Sequence, residues 1–386
     1  GRVARAACAA AEALGREASR PGGRLQQKLL RSTGLSAPMI DWALRIELGQ
    51  VNERALGRLV RSLRPTARQR PVPARLVVCV LAGNVFTAPL RAVLLPLLAG
   101  APVLAKASSG DDALVQGFAR ALGQADRELG GLLRVVTFDR EQRELLRALV
   151  ATAEVVSVYG TDKTVQSIGL KLPAGCRLIA HGHGLGAVYL PAAALRDERS
   201  ALLLARKVAL DVAAYDQRGC LSPHFVCVQQ GGAVSAERFA RILAERGLAP
   251  VGQALPRGSL DAAAAAAQMQ WRGVAEAQGR LFAGADHAVC YQRRFEPRPS
   301  PGYRNLSLYR CRDAEQLARG LSVYGEHLKA LGVAGDRKQR ARIAACLRGS
   351  VAPRICAVGQ MQRPPLDALA DGQHPLQRLV RWIEVE

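Results

Sequence analysis

Over the first 62 residues Leu, Ile and Ala recur at mixed spacings of three and four, the period of an amphipathic helix, so this stretch predicts a group of helices. RSLRPTARQRPVP then breaks the pattern with Pro and Arg and reads as a connection. Beyond it the chain changes to short apolar runs: RLVVCVLAG (75–83), PVLAKAS (102–108), LLRVVTF (132–138), AEVVSVYG (153–160) and CRLIAHG (176–182). Each is followed by a helix-like segment or a glycine turn. Strand–helix alternation of this kind predicts a parallel sheet covered on both faces.

A second set of runs follows residue 220: PHFVCVQQ (223–230), LFAGADHAVCY (281–291), NLSLYRC (305–311) and HLKALGVAG (327–335). SAERFARILAERG and DAAAAAAQMQW read as helices between them, and EPRPSPGYRN (296–305) as a Pro- and Gly-rich loop. The residues from Ile355 onward return to loop and helix. A length of 386 residues exceeds what one core usually serves. The expected division is 1–190, with helices and a first α/β domain, 191–355, a second α/β domain, and 356–386, a tail packing back on the first domain or on a partner subunit.

Composition narrows the class. Apolar residues make up 49% and charged residues 22%, an ordinary globular balance. APLRAVLLPLLAGAPVLA is too interrupted, by Arg91, prolines and a glycine, to span a membrane. The start GRVARAACAAAEALGRE lacks an initiator Met and reads as a trimmed chain rather than a targeting peptide. Nine cysteines without a CxxC pair suit neither a zinc site nor a disulfide framework, and point to a reducing cytoplasm. The net charge of +22 is spread along the chain, aromatics are only 4%, and no stacking motif accompanies the basic runs. This argues against a nucleic-acid partner and leaves a field that attracts an anionic substrate or an acidic protein.

Several residues could carry chemistry. Asn84, after Gly83 in VVCVLAGNVFTAP, lies just past a strand's carboxyl end, where ligands bind in open α/β sheets; an ordinary turn residue is the plainer alternative. Lys106, Ser108 and Ser109 in VLAKASSGDD end the next strand and suit a nucleotide's ribose and phosphate, or are simply surface residues. No GxGxxG or GxxxxGK[ST] is present. SVYGTDKTVQSIG places Gly160 in a turn and opens a helix near Thr161 and Asp162, so free backbone N–H groups could meet a diphosphate, unless the helix is merely capped. HGHGLG (181–186) is a weak dinucleotide signature. Cys220, in YDQRGCLSP, follows a polar approach in which Arg218 could favour the thiolate; the other eight thiols read mostly as core.

LAGNVFTAPL…LLAGAPVLAKASSGD, VYGTDKTVQSIG, LARKVALDVAAYDQRGCLSP and RICAVGQMQRPPLDAL…LVRW together resemble the LuxC-type long-chain acyl-CoA reductases, a branch of the aldehyde dehydrogenase superfamily. The match runs from about residue 70 to the end in the same order. It implies an aldehyde dehydrogenase-like α/β fold, with two Rossmann-like domains, the active site in the cleft between them, and assembly as a homo-oligomer. It also implies NADPH-dependent reduction of a fatty acyl thioester, from acyl-CoA or an acylated carrier or partner protein, to the aldehyde.

By motif, Cys220 matches the catalytic cysteine and Asn84 the oxyanion-hole amide. Lys106 matches the lysine at the adenosine ribose, and Gly160 and Thr161 the turn near the diphosphate; Ser108, Ser109 and His183 complete the expected cofactor-binding set. NAD-preferring relatives carry a glutamate where this chain has Ser109, and the smaller residue leaves room for a 2′-phosphate. Hydrolytic relatives carry a water-activating glutamate where this chain reads AHGHGLGAVYL, without an acidic residue, as suits a reductase. The second glutamate motif, which grips the nicotinamide ribose, is also missing around RPSPGYRN. His181, His183 or His224 could relay a proton. A non-redox acyl transferase or thioesterase built on Cys220, and a polyanion-binding protein, are the competing readings.

Overall fold

The computed structural model describes residues 1–20, 22–66, 68–108, 110–139, 141–347 and 354–386. They form two compact units: Gly1–Thr33 with Ile40–His183 and Pro365–Glu386, and Gly34–Met39 with Gly184–Pro364.

The helical period of the first 62 residues is realised as helices Arg2–Ala18, Arg24–Thr33, Ala37–Gln50 and Glu53–Arg61. The first buries a stripe of small residues, Ala6, Ala7, Ala10, Ala11 and Ala18, with Leu14 among them. That stripe lets it approach the helix Ala113–Ala125, where a Cβ on Gly117 would lie 2.8 Å from Leu14 Cδ1.

The first unit contains strands β1 (Gln69–Pro73), β2 (Val77–Val80), β3 (Val103–Ala107), β4 (Leu133–Thr137), β5 (Val155–Tyr159) and β6 (Arg177–His181). Strands β2 to β6 make one parallel sheet in the order β4-β3-β2-β5-β6. Val77, Val78, Val155, Val156 and Val158 are fully buried, which is why these strands read as unbroken apolar runs. Sequence order reverses direction between β2 and β5, and a doubly wound sheet opens its ligand crevice at the carboxyl ends beside such a switch.

The second unit contains β7 (Leu185–Leu190), β8 (Pro223–Gln229), β9 (Gly279–Ala283), β10 (Ala288–Gln292), β11 (Asn305–Cys311), β12 (Leu328–Val333) and β13 (Arg354–Ala357). They form one sheet in the order β13-β12-β7-β8-β11-β10-β9, parallel except for the edge pair β9–β10. Alternation along each strand separates two cores. Val188, Val226, Val228 and Leu306 pack with Ala205, Val208 and Phe239 on one face. Ala187, Tyr189, Phe225, Cys227 and Leu331 pack with Leu317 and Leu321 on the other.

Three expectations change. LFAGADHAVCY is two strands, because the chain reverses at Gly284–His287, where the Gly284 amide donates to the His287 carbonyl at 2.9 Å. GLGAVYL, whose glycines masked its period, contains the interior strand β7, paired with β12 and β8. The Pro-rich connection contains β1, which pairs antiparallel with β14 (Val380–Glu384) from the C-terminal stretch expected to be loop and helix. Pro71 and Pro73 are tolerated there because a two-stranded ribbon is all edge. Among the described residues no helix is long and apolar enough to cross a membrane.

Candidate active site

The predicted cofactor residues other than Ser109 lie at the carboxyl rim of the first unit's sheet. Val80, the last residue of β2, pairs with Lys106 on β3 and with Val158 on β5. Past β2 the chain turns through Gly83 to an exposed Asn84. A Cβ on Gly83 would lie 3.0 Å from Asp111 Oδ2 and 3.5 Å from Ser108 Oγ, so the loops after β2 and β3 touch. Lys106 is buried to 9% exposure, its ammonium 5.1 Å from the centroid of the Phe138 ring. Burial lowers its pKa, against the opposing pull of Asp139 and Glu141. Ser108 is half-buried, and Ser109 lies outside the described residues.

Beyond β5, the Gly160 amide donates to the His181 carbonyl at 3.1 Å, and a Cβ on Gly160 would sit 3.1 Å from Thr164 Cβ. Thr161 caps the helix Asp162–Gly169, its hydroxyl accepting the Thr164 N–H at 3.3 Å. His183 is exposed and its backbone N–H donates to Asp162 Oδ1 at 2.9 Å. His181 stacks on Tyr159, ring centroids 4.2 Å apart, and its Nδ1 donates to Asp371 Oδ2 at 2.9 Å. The stretch around His181 has no acidic residue of its own, so this carboxylate comes from the far end of the chain. Asp371 and Gly372, with φ of 49° and 78°, are the central pair of a two-residue turn closed by mutual Ala370–Gln373 hydrogen bonds. Asp-Gly is the sequence signature of such a turn and was its available signal.

Cys220 belongs to the second unit. It lies in the connection from the helix Glu198–Ala213 to β8, at the amino end of that strand, where the rule of carboxyl-end ligand sites gives no warning. The helix is followed by three residues in the left-handed region: Tyr215 (φ 53°), Asp216 (51°) and Gln217 (62°), none of them glycine. All three side chains are buried, whereas Cys220 is exposed. The turn thus carries the chain out of the core and delivers the thiol to the surface. Arg218 folds back, its Nε donating to the Tyr215 carbonyl at 3.3 Å.

The turn is held from both sides. Gln217 Nε2 donates to the Pro223 and Asn305 carbonyls, at 2.8 and 3.0 Å, and to Ser300 Oγ at 3.3 Å. His224 Nδ1 donates to the Ser300 carbonyl at 3.0 Å. On the other side, Asp211 accepts the backbone N–H groups of Gly359 (2.5 Å) and Met361 (3.0 Å), and Gln362 Nε2 reaches Ser222 Oγ at 3.3 Å. The motif AVGQMQ is therefore a brace beneath the cysteine loop. Asp211, Gln362 and Arg304 were invisible to sequence reasoning because the partners that tie them to the cysteine loop or its brace, Met361 for Asp211, Ser222 for Gln362 and Asp216 for Arg304, lie 88 or more residues away.

The other thiols differ in kind. Cys79 and Cys311 are buried, and burial pushes each up to about 12. Cys290 rises to about 11, and Cys227 is also raised, again by burial. Cys8, Cys176 and Cys356 are half-buried, and Cys346, the last residue of the helix Arg337–Cys346, is exposed.

Among the described residues no group of three or more His, Cys, Asp or Glu is placed to hold a metal ion. Solved structures share the fold. An oxidoreductase from Marinobacter aquaeolei superposes with a TM-score of 0.79 at 13% identity, covering 99% of this chain and 85% of that one. A salicylaldehyde dehydrogenase from Pseudomonas putida G7 gives 0.75 at 14%, covering 100% and 85%. Aldehyde dehydrogenase 21 from Physcomitrella patens gives 0.74 at 14%, covering 100% and 86%. At these identities the likeness establishes an aldehyde dehydrogenase-like fold. No curated protein matches the chain. The model of the acyl-CoA reductase (LuxC) family matches residues 23–382, and the chain belongs to that family.

Proposed function

We propose that this chain reduces a long-chain fatty acyl thioester to the aldehyde, with NADPH as reductant and Cys220 as the group that carries the acyl chain. The observation that supports this reading best is the setting of the thiol: Cys220 is exposed on a turn braced from both sides, whereas Cys79, Cys227, Cys290 and Cys311 are sealed in the core and the other exposed thiol, Cys346, ends a helix. The family to which the chain belongs supports the reaction class.

The first unit's rim suits a dinucleotide. It has a switch point between β2 and β5, a buried cation at Lys106, and a helix opening after a turn at Gly160 with little space for a side chain. Lys106 and Ser108 would hold the adenosine ribose and its 2′-phosphate, and the Gly160–Thr161 turn, with His183 beside it, the diphosphate. NADPH, when bound, supplies the hydride.

The protein's own steps are two. Cys220 Sγ adds to the acyl carbonyl, the bond to the carrier sulfur breaks, and the carrier leaves as its thiol, giving an S-acyl enzyme. After reduction at the same carbonyl carbon, the Cys220–carbon bond breaks, the thiolate is regenerated and the aldehyde departs. Through both steps the Cys220 backbone N–H donates to the carbonyl oxygen as it becomes an oxyanion, the role that the family motif also gives to the Asn84 amide. Two carboxylates reach the HGHG stretch, Asp371 at the His181 ring and Asp162 at the His183 backbone N–H, and each accepts a hydrogen bond there.

The test is to mix the protein with a long-chain acyl-CoA and NADPH, following loss of the reduced nicotinamide band and release of aldehyde. Cofactor oxidation matched by aldehyde, and lost in Cys220→Ala, is the expected result. Release of free fatty acid without cofactor oxidation would instead identify a thioesterase, and an active Cys220→Ala would remove the cysteine from the mechanism.

A further inference from the structure

Among the described residues Arg304 is the largest fully buried side chain, and its guanidinium is directed at the turn that precedes Cys220. Its Nε and Nη2 donate to Asp216 Oδ1 at 3.1 and 2.7 Å, with 1% and 3% of the two side chains exposed. Nη2 also donates to the Leu255 carbonyl at 2.8 Å, and Nη1 to Asp286 Oδ2 at 2.9 Å. Asp216 is saturated in turn: its Oδ2 accepts the Gly258 N–H at 2.9 Å and its carbonyl accepts the Tyr303 N–H at 3.1 Å. Burial opposes ionisation of Asp286, but the hydrogen bond from His287 and the charges of Arg304 and Arg257 hold its carboxyl below the usual range.

The backbone is as unusual as the side chains. Arg304 itself sits in a left-handed run, Gly302 (φ 78°), Tyr303 (51°) and Arg304 (67°), so two such runs face each other across one ion pair. A non-glycine residue in this region is held there only where surrounding contacts over-determine it. Asp216 is fixed by its carbonyl, by both carboxylate oxygens and by the buried pair, and it lies four residues before the cysteine. Buried ion pairs gain little net stability over an apolar filling, whereas they fix one geometry where a protein needs it.

We propose that Arg304 is a positioning residue for Cys220: through Asp216 it locks the left-handed turn that presents the thiol to the acyl carbonyl. The inference rests on Cys220 being the acylated nucleophile. It assigns a role to the loop EPRPSPGYRN, which supplies the clamp for the nucleophile.

The experiment reads the rate of Cys220 S-acylation by a long-chain acyl-CoA without NADPH, followed by mass spectrometry of the full chain and its peptides. Variants Arg304→Lys, Arg304→Met, the double variant Asp216→Gly/Arg304→Met, and Cys220→Ala are compared with the parent. Arg304→Lys keeps the charge and loses the fork, and Arg304→Met loses both. Each is expected to slow acylation, Arg304→Met by about a hundredfold, the scale of an ångström-sized misplacement, with the dissociation constant for NADPH unchanged. Glycine adopts the left-handed region freely and removes the unpaired carboxylate, so the double variant is expected to recover most of the lost rate. Parent-like acylation in both single Arg304 variants overturns the proposal. So does a folded double variant that stays as slow as Arg304→Met, or failure of the Lys and double variants alike to show a cooperative unfolding transition. Acylation that persists in Cys220→Ala instead sinks the nucleophile assignment, whatever the Arg304 variants do.

Discussion

The backbone amide of Gly186 donates to the carbonyl oxygen of Ser222 at 2.8 Å, fastening the start of β7 to the residue two places beyond Cys220. The approach is so close that a Cβ on Gly186 would lie 2.5 Å from the Leu221 carbonyl oxygen and 2.6 Å from Met361 Cε. The methionine can swing aside, but the carbonyl belongs to the cysteine loop and can move only with it. Gly186→Ala is therefore expected to lower stability by about 1–3 kcal/mol, the usual range for overpacking. It is also expected to slow alkylation of Cys220 while leaving cofactor affinity intact. Thermal melting and a peptide-resolved iodoacetamide time course check both. Unchanged alkylation would mean that the loop absorbs the added methyl without moving its thiol.

Asn84 provides a separate test of the oxyanion assignment, since it follows β2 in the first unit, exposed and outside any helix or strand. Loss of one donor of this type costs on the order of a hundredfold to a thousandfold in turnover. Asn84→Ala is expected to show that loss in kcat with little change in the affinity for NADPH. A variant impaired only in cofactor binding would reassign Asn84 to the nucleotide.

Lys106 tests the cofactor side. Its charge is a point attraction for a ribose phosphate, held in a partly desolvated rim beside the Phe138 ring. Lys106→Met is expected to weaken binding of NADPH more than that of NADH, measured by fluorescence titration, with turnover at saturating cofactor largely preserved. Because burial lowers the lysine's pKa, the parent should begin to lose its preference for the phosphorylated cofactor at a pH below the usual lysine range. Equal weakening toward both cofactors would remove the 2′-phosphate from the reading.

The parallel sheet of the first unit was legible because each of its strands is a short apolar run closed by a turn, and Gly160, Thr161 and Lys106 stood at their ends for the same reason. Strand β7 was not, since Gly186 serves a close approach to the Leu221 carbonyl rather than the strand's own period. Ribbon β1–β14 was hidden by prolines and by a partner some 310 residues on, Gln69 opposite Glu384. The cysteine could be singled out, but not what holds it. Asp211, Asp216, Arg304 and Gln362 act through pairings that no local period encodes. His181 likewise gave no hint of Asp371, which only the Asp-Gly turn could have suggested.

The brace beneath the cysteine loop carries a pH dependence of its own. Asp211 is 1% exposed, and burial pushes its carboxyl up to about 7, against the hydrogen bonds from the Gly359, Met361 and Gln362 groups that favour the anion. Between the ordinary aspartate value near 4 and about 7, the folded protein therefore keeps a proton that the unfolded chain releases. This group's contribution to stability is complete below about pH 4 and declines as pH rises toward 7, by an amount on the order of 3 kcal/mol. Asp211→Asn cannot titrate, and it offers one acceptor where two backbone N–H groups need one each, so it is expected to be less stable than the parent at pH 5, by about 1–3 kcal/mol. As pH rises to 7 the parent loses stability that the variant does not, and the gap between the two melting curves is expected to narrow. Denaturant titrations of both proteins at half-unit pH steps would measure that gap. A constant difference from pH 5 to 7 would show that Asp211 stays ionised throughout, with its two backbone donors outweighing its burial.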